Sequence, residues 1–351
     1  MSGALPPFLF IADRRGSWDS WRFAVELFGR LEAAGEPGTF ILAGGESLPA
    51  GVSTRRAFAL ETVSGPVGSV MRRALRSRVP PEVSLVHAFG AGVAGAARSL
   101  ARELDCRWCV SVFRYGEPLG RRDAEDERCF AVFAEDSEHA ASLGRSLPQV
   151  REKTAAMPLA SAARRGAEAL SGPTPALASM GPGEGPALVR VVEAAALLRE
   201  RGAHFQLFLQ PAGGEGKLRR MVRERELGAA VTFLDEAVHY ARAACGADVL
   251  VMAGGRREAT LPVLAALSAG RVAVVRDAEG LRDVAAGGEG VVELSGEDDA
   301  GPEVLADRVE ELLGDPELRR RLGASAAETL ARARPFAATV GNLVEAYSKA
   351  V

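Results

Sequence analysis

Lysine is almost missing from this 351-residue sequence: Lys153, Lys217 and Lys349 are the only ones, and arginine supplies the rest of the 43 basic side chains. Set against 46 acidic residues, they leave a formal net charge of -3. A nucleic-acid binder needs a clear basic excess to neutralise phosphates, so nucleic acid is not expected as a partner. Long apolar runs are missing too. No stretch approaches the ~20 apolar residues that cross a bilayer, and Met1 to Pro7 has neither the basic start nor the apolar length of a secretory signal. The expectation is a cytoplasmic chain with no transmembrane segment; contact with a membrane surface stays open. Cysteine and histidine are scarce, four of each. Cys106 and Cys109 are spaced C-x-x-C, but no second pair follows to complete a zinc site. The pair runs into the apolar stretch Trp108 to Phe113 rather than into a helix start, so packing is its expected role. His139, His204 and His239 are isolated, and Glu297, Asp298 and Asp299 read as a solvated loop, so no metal is expected. Ser111 and Ser137 show no triad context.

What the sequence does contain is a globular balance, 47% apolar and 25% charged, at a length that suits two domains. Phe8 to Ala12 is a short apolar run ending in Asp13, Arg14, Arg15 and Gly16. Trp18 to Ala34 then follows helical periodicity, with Trp21, Val25, Phe28 and Leu31 on one face, and Gly35 ends it. Thr39 to Ala43 reads as a second strand. This is a βαβ opening, which implies parallel strands and right-handed crossovers. Strands at Val83 to Ala88, Trp108 to Phe113 and Cys129 to Ala134 alternate with helices at Gly92 to Leu104 and Ser137 to Ser146. The mixed-charge run Arg121 to Arg128 reads as a solvated face. Ala160 to Pro175 is rich in Ala, Ser, Gly and Pro and ends in a hinge. A second series follows. Its strands are Ala176 to Met180, Phe205 to Leu209, Val231 to Leu234, Ala247 to Met252, Val272 to Arg276 and Gly290 to Leu294. Its helices are Pro186 to Arg201, Glu215 to Leu227, Leu261 to Ala269, Glu303 to Leu313 and Pro316 to Arg334, and Phe336 to Tyr347 closes the chain.

Several ordered segments carry a resemblance: Ala195 to Gly202 (AALLRERG), Phe205 to Val222, Leu227 to Leu234 (LGAAVTFL), Ala247 to Met252 (ADVLVM), Asp315 to Leu322 (DPELRRRL) and Phe336 to Tyr347. Ser84 to Gly90 (SLVHAFG) and Asp105 to Phe113 add a weaker match in the first half. In this order they resemble the family-four retaining glycosyltransferases of the GT-B fold. The resemblance implies an α/β chain of two doubly wound Rossmann-like domains facing across a cleft. Residues 1–165 would form the acceptor-side domain, 173–335 the nucleotide-sugar-side domain, and 336–351 a helix crossing back to the first. It implies a nucleotide-sugar donor and no bound cofactor or metal.

The same resemblance picks out candidate site residues. Gly181, Gly183 and Gly185 would offer main-chain N–H groups at a helix start. Arg256, Arg257, Thr260 and Leu261 would line the donor loop, with Leu234 and Glu236 at the loop that holds the base. Glu258 is the candidate catalytic carboxylate. Gly16, His87 and Phe113 would lie on the acceptor side. The departures are chemical. A diphosphate leaving group needs cations or oriented N–H donors, yet no Arg or Lys follows the first strand of the second half, and Glu184 stands where a Lys is expected. Ungapped alignment of Ala247 to Gly270 puts Arg257 at the first carboxylate of the family's E-x7-E pair and Ala265 at the second; Glu258 is one residue off. Phe113 replaces a strand-end His. Three readings follow: a divergent or inactive transferase working through a catalytic partner or its protein or glycan acceptor, an active retaining transferase, and a carbohydrate-binding or regulatory module.

Overall fold

Thirteen strands among the described residues fall into two sheets, and every pairing in both is parallel. The computed structural model describes residues 5–14, 18–44, 48, 56–60, 79–113, 117–161, 174–182, 185–235, 238–254, 260–276, 281–285, 290–294 and 301–350. The chain divides into two units: residues 1–159 with 336–351, and residues 160–335. The expected boundary at 165 to 173 lies wholly outside the described residues. Among the described residues no helix is long and apolar enough to cross a membrane.

The first unit runs β1 (Phe8–Asp13), α1 (Trp18–Ala33), β2 (Gly38–Ala43), β3 (Ala57–Leu60), β4 (Leu85–Phe89), α2 (Ala94–Glu103), β5 (Arg107–Val112), α3 (Arg121–Ala124), β6 (Cys129–Ala134), α4 (Ser137–Ser146) and β7 (Thr154–Ala156). Its sheet has the order β3-β2-β1-β4-β5-β6-β7. Alternation along the strands splits the core into two chemistries. One face is aliphatic: Leu9, Ile11, Val86, Ala88, Val110 and Val132 pack with the small residues Ala94, Ala97 and Ala101 of α2. The other is aromatic. Phe10 meets Phe28 and Phe89 at centroid distances of 6.3 and 4.9 Å, and Phe89 meets Phe23 at 6.3 Å. The buried surface of α1 is wider than the expected stripe, because Phe23, Ala24 and Leu27 are as buried as Trp21, Val25, Phe28 and Leu31.

The chain's last helix, which belongs to this unit, completes the aromatic face. Tyr347, on the helix Phe336–Ala350, packs against Phe8, Phe10 and His87. Its hydroxyl lies 2.5 Å from His87 Nδ1, while His87 Nε2 lies 2.7 Å from Ser111 Oγ. A neutral imidazole donates at one nitrogen and accepts at the other, so both polar atoms are satisfied inside the unit. Burial holds His87 down at about 3 and pushes the Tyr347 phenol up. The ring is therefore neutral at physiological pH.

The charged run Arg121 to Arg128 is not uniformly solvated. Ala124 and Asp126 are buried. Asp126 accepts from Trp108 Nε1 at 3.2 Å, from Arg102 Nη2 at 2.5 Å and Nε at 3.1 Å, and from the Arg128 N–H at 3.0 Å. Burial opposes its ionisation, but these donors outweigh it and hold the carboxyl below its usual range. The periodicity of a charge run does not reveal that one member caps a buried indole. The cysteines are all free and buried, and burial raises Cys106 to about 11 and Cys129 to about 12. Thiols held that high stay protonated and unreactive.

The second unit runs β8 (Ala176–Pro182), α5 (Pro186–Glu200), β9 (Gln206–Ala212), α6 (Glu215–Glu224), β10 (Val231–Phe233), α7 (Tyr240–Gly246), β11 (Val249–Met252), α8 (Thr260–Ser268), β12 (Val272–Val275), α9 (Arg282–Ala285), β13 (Val291–Glu293), α10 (Pro302–Gly314) and α11 (Pro316–Ala333). The helix Phe336–Ala350 is thus α12. The sheet order is β10-β9-β8-β11-β12-β13. Helix α8 is apolar all round, and Thr260 to Leu267 are all buried, as expected of a helix covered on every side. Gly323 of α11 packs on the Gly270 turn, where Gly270 adopts φ +75°. A Cβ on Gly323 would fall inside the van der Waals envelope of the Gly270 carbonyl oxygen.

Two outcomes follow. Below the usual histidine value of 6.5 the unfolded chain takes up a proton that folded His87 refuses until about 3. Its contribution to stability is therefore complete above the unfolded value and is lost as pH falls toward the folded one. Urea unfolding should show the unsubstituted chain losing stability between pH 7 and pH 4 faster than His87→Gln; parallel losses would remove His87 from this role. Gly323→Ala should destabilise by about 1–3 kcal/mol or more, because the obstacle is backbone; a thermal midpoint unchanged from the parent chain would contradict that packing.

Candidate functional site

In a parallel sheet with helices on both faces, ligands bind outside the carboxyl ends of the strands where the strand order reverses. In the second unit that point lies between β8 and β11. From β8 the chain steps outward to β9 and β10, then returns to β11 and moves the other way. Three segments leave the carboxyl ends of strands of this sheet. The first is the turn from β8 into α5. Gly181 has φ +145°, a conformation closed to side-chain-bearing residues. Gly185 is the extended N-cap of α5, with Pro186 at the first helical position. The leading N–H groups of α5 have no partners within the helix and carry partial positive charge. Gly183 and Glu184 lie outside the described residues.

The second segment follows β11. Arg256, Arg257 and Glu258 lie outside the described residues. Thr260 and Leu261 open α8, but their side chains are 4% and 0% exposed. The expectation that these side chains line a donor loop is therefore corrected: they belong to the core, and α8 has only its main-chain N–H groups to offer. Ala265 is 0% exposed on the same helix.

The third segment follows β10. The Leu234 N–H donates to the Leu209 carbonyl at 2.7 Å, continuing the sheet's ladder, and Glu236 lies outside the described residues. Two residues that the sequence did not single out act at this edge. Gln210, 2% exposed, donates from Nε2 to the Asp235 carbonyl at 3.0 Å and the Val238 carbonyl at 2.6 Å. One amide thus holds both ends of the turn after β10. Arg190, half-buried on α5, donates from Nη1 to the Ala253 carbonyl at 3.2 Å, just past the end of β11. The available signal for Gln210 was a lone amide at the end of an apolar strand. For Arg190 it was a lone cation within the otherwise apolar run Ala187 to Val192.

At the corresponding edge of the first unit, Gly16 lies outside the described residues. His87 and Phe113 are buried in the core of this unit. His87 is in the middle of β4, 0% exposed, with both ring nitrogens engaged as above. Phe113 is 2% exposed and packs edge-on against Phe23 at 5.4 Å. Both are core residues because the aromatic face under α1 and α12 needs filling. Ser111 does meet a histidine, which the sequence did not suggest, but the pair is sealed from solvent and cannot attack a substrate. At the turn after β4, Gly90 takes φ +103° and the Ala91 N–H donates to Glu117 Oε1 at 2.8 Å.

Residues 187–329, within the second unit, match the family model of glycosyl transferases group 1. No curated protein matches the chain. Among solved structures, sucrose-phosphate synthase from Thermosynechococcus elongatus is 17% identical with a TM-score of 0.70, covering 98% of each chain. Anabaena HepE in complex with UDP-glucose is 11% identical with a TM-score of 0.71, covering 97% of this chain and 99% of its own. The pneumococcal O-GlcNAc transferase GtfA, in complex with UDP and GlcNAc, is 8% identical with a TM-score of 0.69, covering 98% and 99%. At these identities the structures speak for the fold, and the family match speaks for the second unit. Together with two parallel sheets in two units, they give this chain the GT-B fold, with a second unit similar to group 1 glycosyl transferases.

Proposed function

We propose that this chain is a pseudo-glycosyltransferase. Its second unit keeps the form of a nucleotide-sugar half without the side chains that turn a donor over. It would serve glycan or glycoconjugate synthesis in the cytoplasm through a partner, either a catalytic glycosyltransferase or the protein or glycan acceptor of one. The observation that carries this reading is Ala265. The resemblance places there the carboxylate that holds the donor ribose, and the position is wholly buried on a helix whose residues Thr260 to Leu267 are all buried. Phe113, where a strand-end histidine is expected, is likewise core. At both places a polar group that would face a ligand has given way to apolar packing.

A second reading, an active retaining transferase moving a sugar from a nucleotide sugar to a hydroxyl, draws support from the glycine-flanked start of α5 at the switch point. Oriented N–H groups can stabilise a leaving diphosphate. The two readings separate on turnover. The chain, incubated with UDP-, GDP- and ADP-sugars and a mixed glycan acceptor set, should release nucleoside diphosphate no faster than a protein-free control. Release that scales with protein concentration would overturn the first reading in favour of the second. Writing the expected carboxylate back, as Ala265→Glu, should confer no turnover and should destabilise by about 3 kcal/mol or more, because it buries an unpaired charge; chemical unfolding checks that cost.

A further inference from the structure

We propose that Gln210 is a positioning residue of the second unit: its buried amide fixes the turn after β10 as a rigid edge that discriminates between the bases of nucleotide ligands. The proposal rests on the reading of this unit as a nucleotide-sugar half. It goes further by naming the residue on which base preference depends, one that acts through the main chain of the turn.

Strand β9 carries a buried amide directly after the buried Leu207 and Leu209. An apolar side chain would fill that place at less cost, because a buried amide is unfavourable unless its groups are hydrogen-bonded. Gln210 meets that requirement on a single turn. Its Nε2 donates to the Asp235 carbonyl at 3.0 Å and to the Val238 carbonyl at 2.6 Å. The Asp235 carbonyl also accepts the Val238 N–H at 3.0 Å, which closes a four-residue turn. The amide therefore grips the turn at its first and last residues. The flanks are fixed as well. Before the turn, the Leu234 N–H donates to the Leu209 carbonyl at 2.7 Å. After it, His239 caps α7, its Nδ1 accepting the Ala241 N–H at 3.3 Å, and Tyr240 is buried. Two adjacent residues of β9, one by its main chain and one by its side chain, hold this turn to the sheet.

Position gives the turn its task. The order β10-β9-β8-β11 puts the end of β10 two strand spacings, ~10 Å, from the end of β8, where α5 begins. A helix start favours the anionic end of a ligand. In a nucleotide laid from there along the strand ends toward β10, the far end is the base. Bases differ in the donors and acceptors along their edges, and hydrogen bonds to them weaken steeply when misaligned. An edge made of main chain is therefore selective only when it is held still before the ligand arrives. With the Asp235 and Val238 carbonyls engaged, the Gln210 amide sets which main-chain groups the turn can offer. A buried polar group kept for specificity rather than for stability fits this place.

The test is calorimetric titration of the full chain with UDP, GDP and ADP, and with inorganic pyrophosphate as the base-free probe. The unsubstituted chain should prefer one nucleotide over another by about tenfold. Gln210→Met, which keeps the length and loses both donors, should narrow that preference to about threefold and leave pyrophosphate affinity as in the parent. Gln210→Glu, which keeps the shape but turns acceptors toward the two carbonyls, should do the same and serves as the second variant. Amide hydrogen exchange should quicken across residues 234–240 in both and stay unchanged in β8 and β11, which separates a loosened turn from an unfolded unit. A preference that survives in both variants, or unchanged exchange across the turn, overturns the proposal. So does a parent that binds no nucleotide or binds all three alike. Equal losses of nucleotide and pyrophosphate affinity would mark a merely structural role and overturn it too. Turnover of a nucleotide sugar, with base preference erased in the variants, would sustain the proposal while overturning the pseudoenzyme reading; absence of turnover with the preference intact in the variants would do the reverse.

Discussion

Parallel pairing is the constraint on which both units depend. Neighbouring parallel strands cannot be joined by a tight turn, so the chain must return across one face of the sheet before each new strand. That return buries both faces, which is why β2 and β4 are buried along their whole length, and β1 up to Asp13, and why the first unit has an aromatic and an aliphatic core back to back. With the faces spent on packing, polar chemistry is left to the strand ends. The side chains that alternate inward are lost to function however reactive they look in sequence. His87, Ser111 and the cysteines are all examples.

This explains what the sequence could and could not reveal. Central strands and long helices were legible because their apolar runs are set by two-sided burial: Cys129 to Ala134 and Ser137 to Ser146 were predicted with the ends that the structure gives. The edge strand Thr154–Ala156 was not, since it is short, half-exposed and lacks a continuous apolar signal. The short helices Arg121–Ala124 and Arg282–Ala285 were missed for the same reason: one turn carries too little periodicity to register. Strand ends slipped where burial outlasts the apolar run, as in β9, which continues through Gln210 to Ala212 while Gln210 donates its side-chain N–H groups to two neighbouring carbonyls.

The site was less legible than the fold. Pattern reasoning could find the glycine turn before α5, since Gly181 needs a backbone that only glycine reaches easily. It could not tell a histidine serving a ligand from one serving a tyrosine 260 positions away in sequence. Nor could it find Arg190, whose role comes from the Ala253 carbonyl that it reaches at the end of β11. A side chain's role at a strand end depends on groups brought together by the crossovers, and that information is absent from local sequence.

Stability and binding pull in opposite directions at this edge, and that opposition gives the arrangement its sense. Ala265 and Phe113 are what a core prefers: small or apolar, fully covered, with nothing left to satisfy. A carboxylate at the first or an imidazole at the second would need partners or water to offset its burial. Arg190 is what a core does not prefer. It is half-buried, and among the described residues its guanidinium meets the Ala253 carbonyl, while Arg271, Arg319 and Arg334 sit against carboxylates or a helix C-terminus. Its guanidinium reaches across the switch point to the Ala253 carbonyl, so this arginine ties the start of α5 to the end of β11.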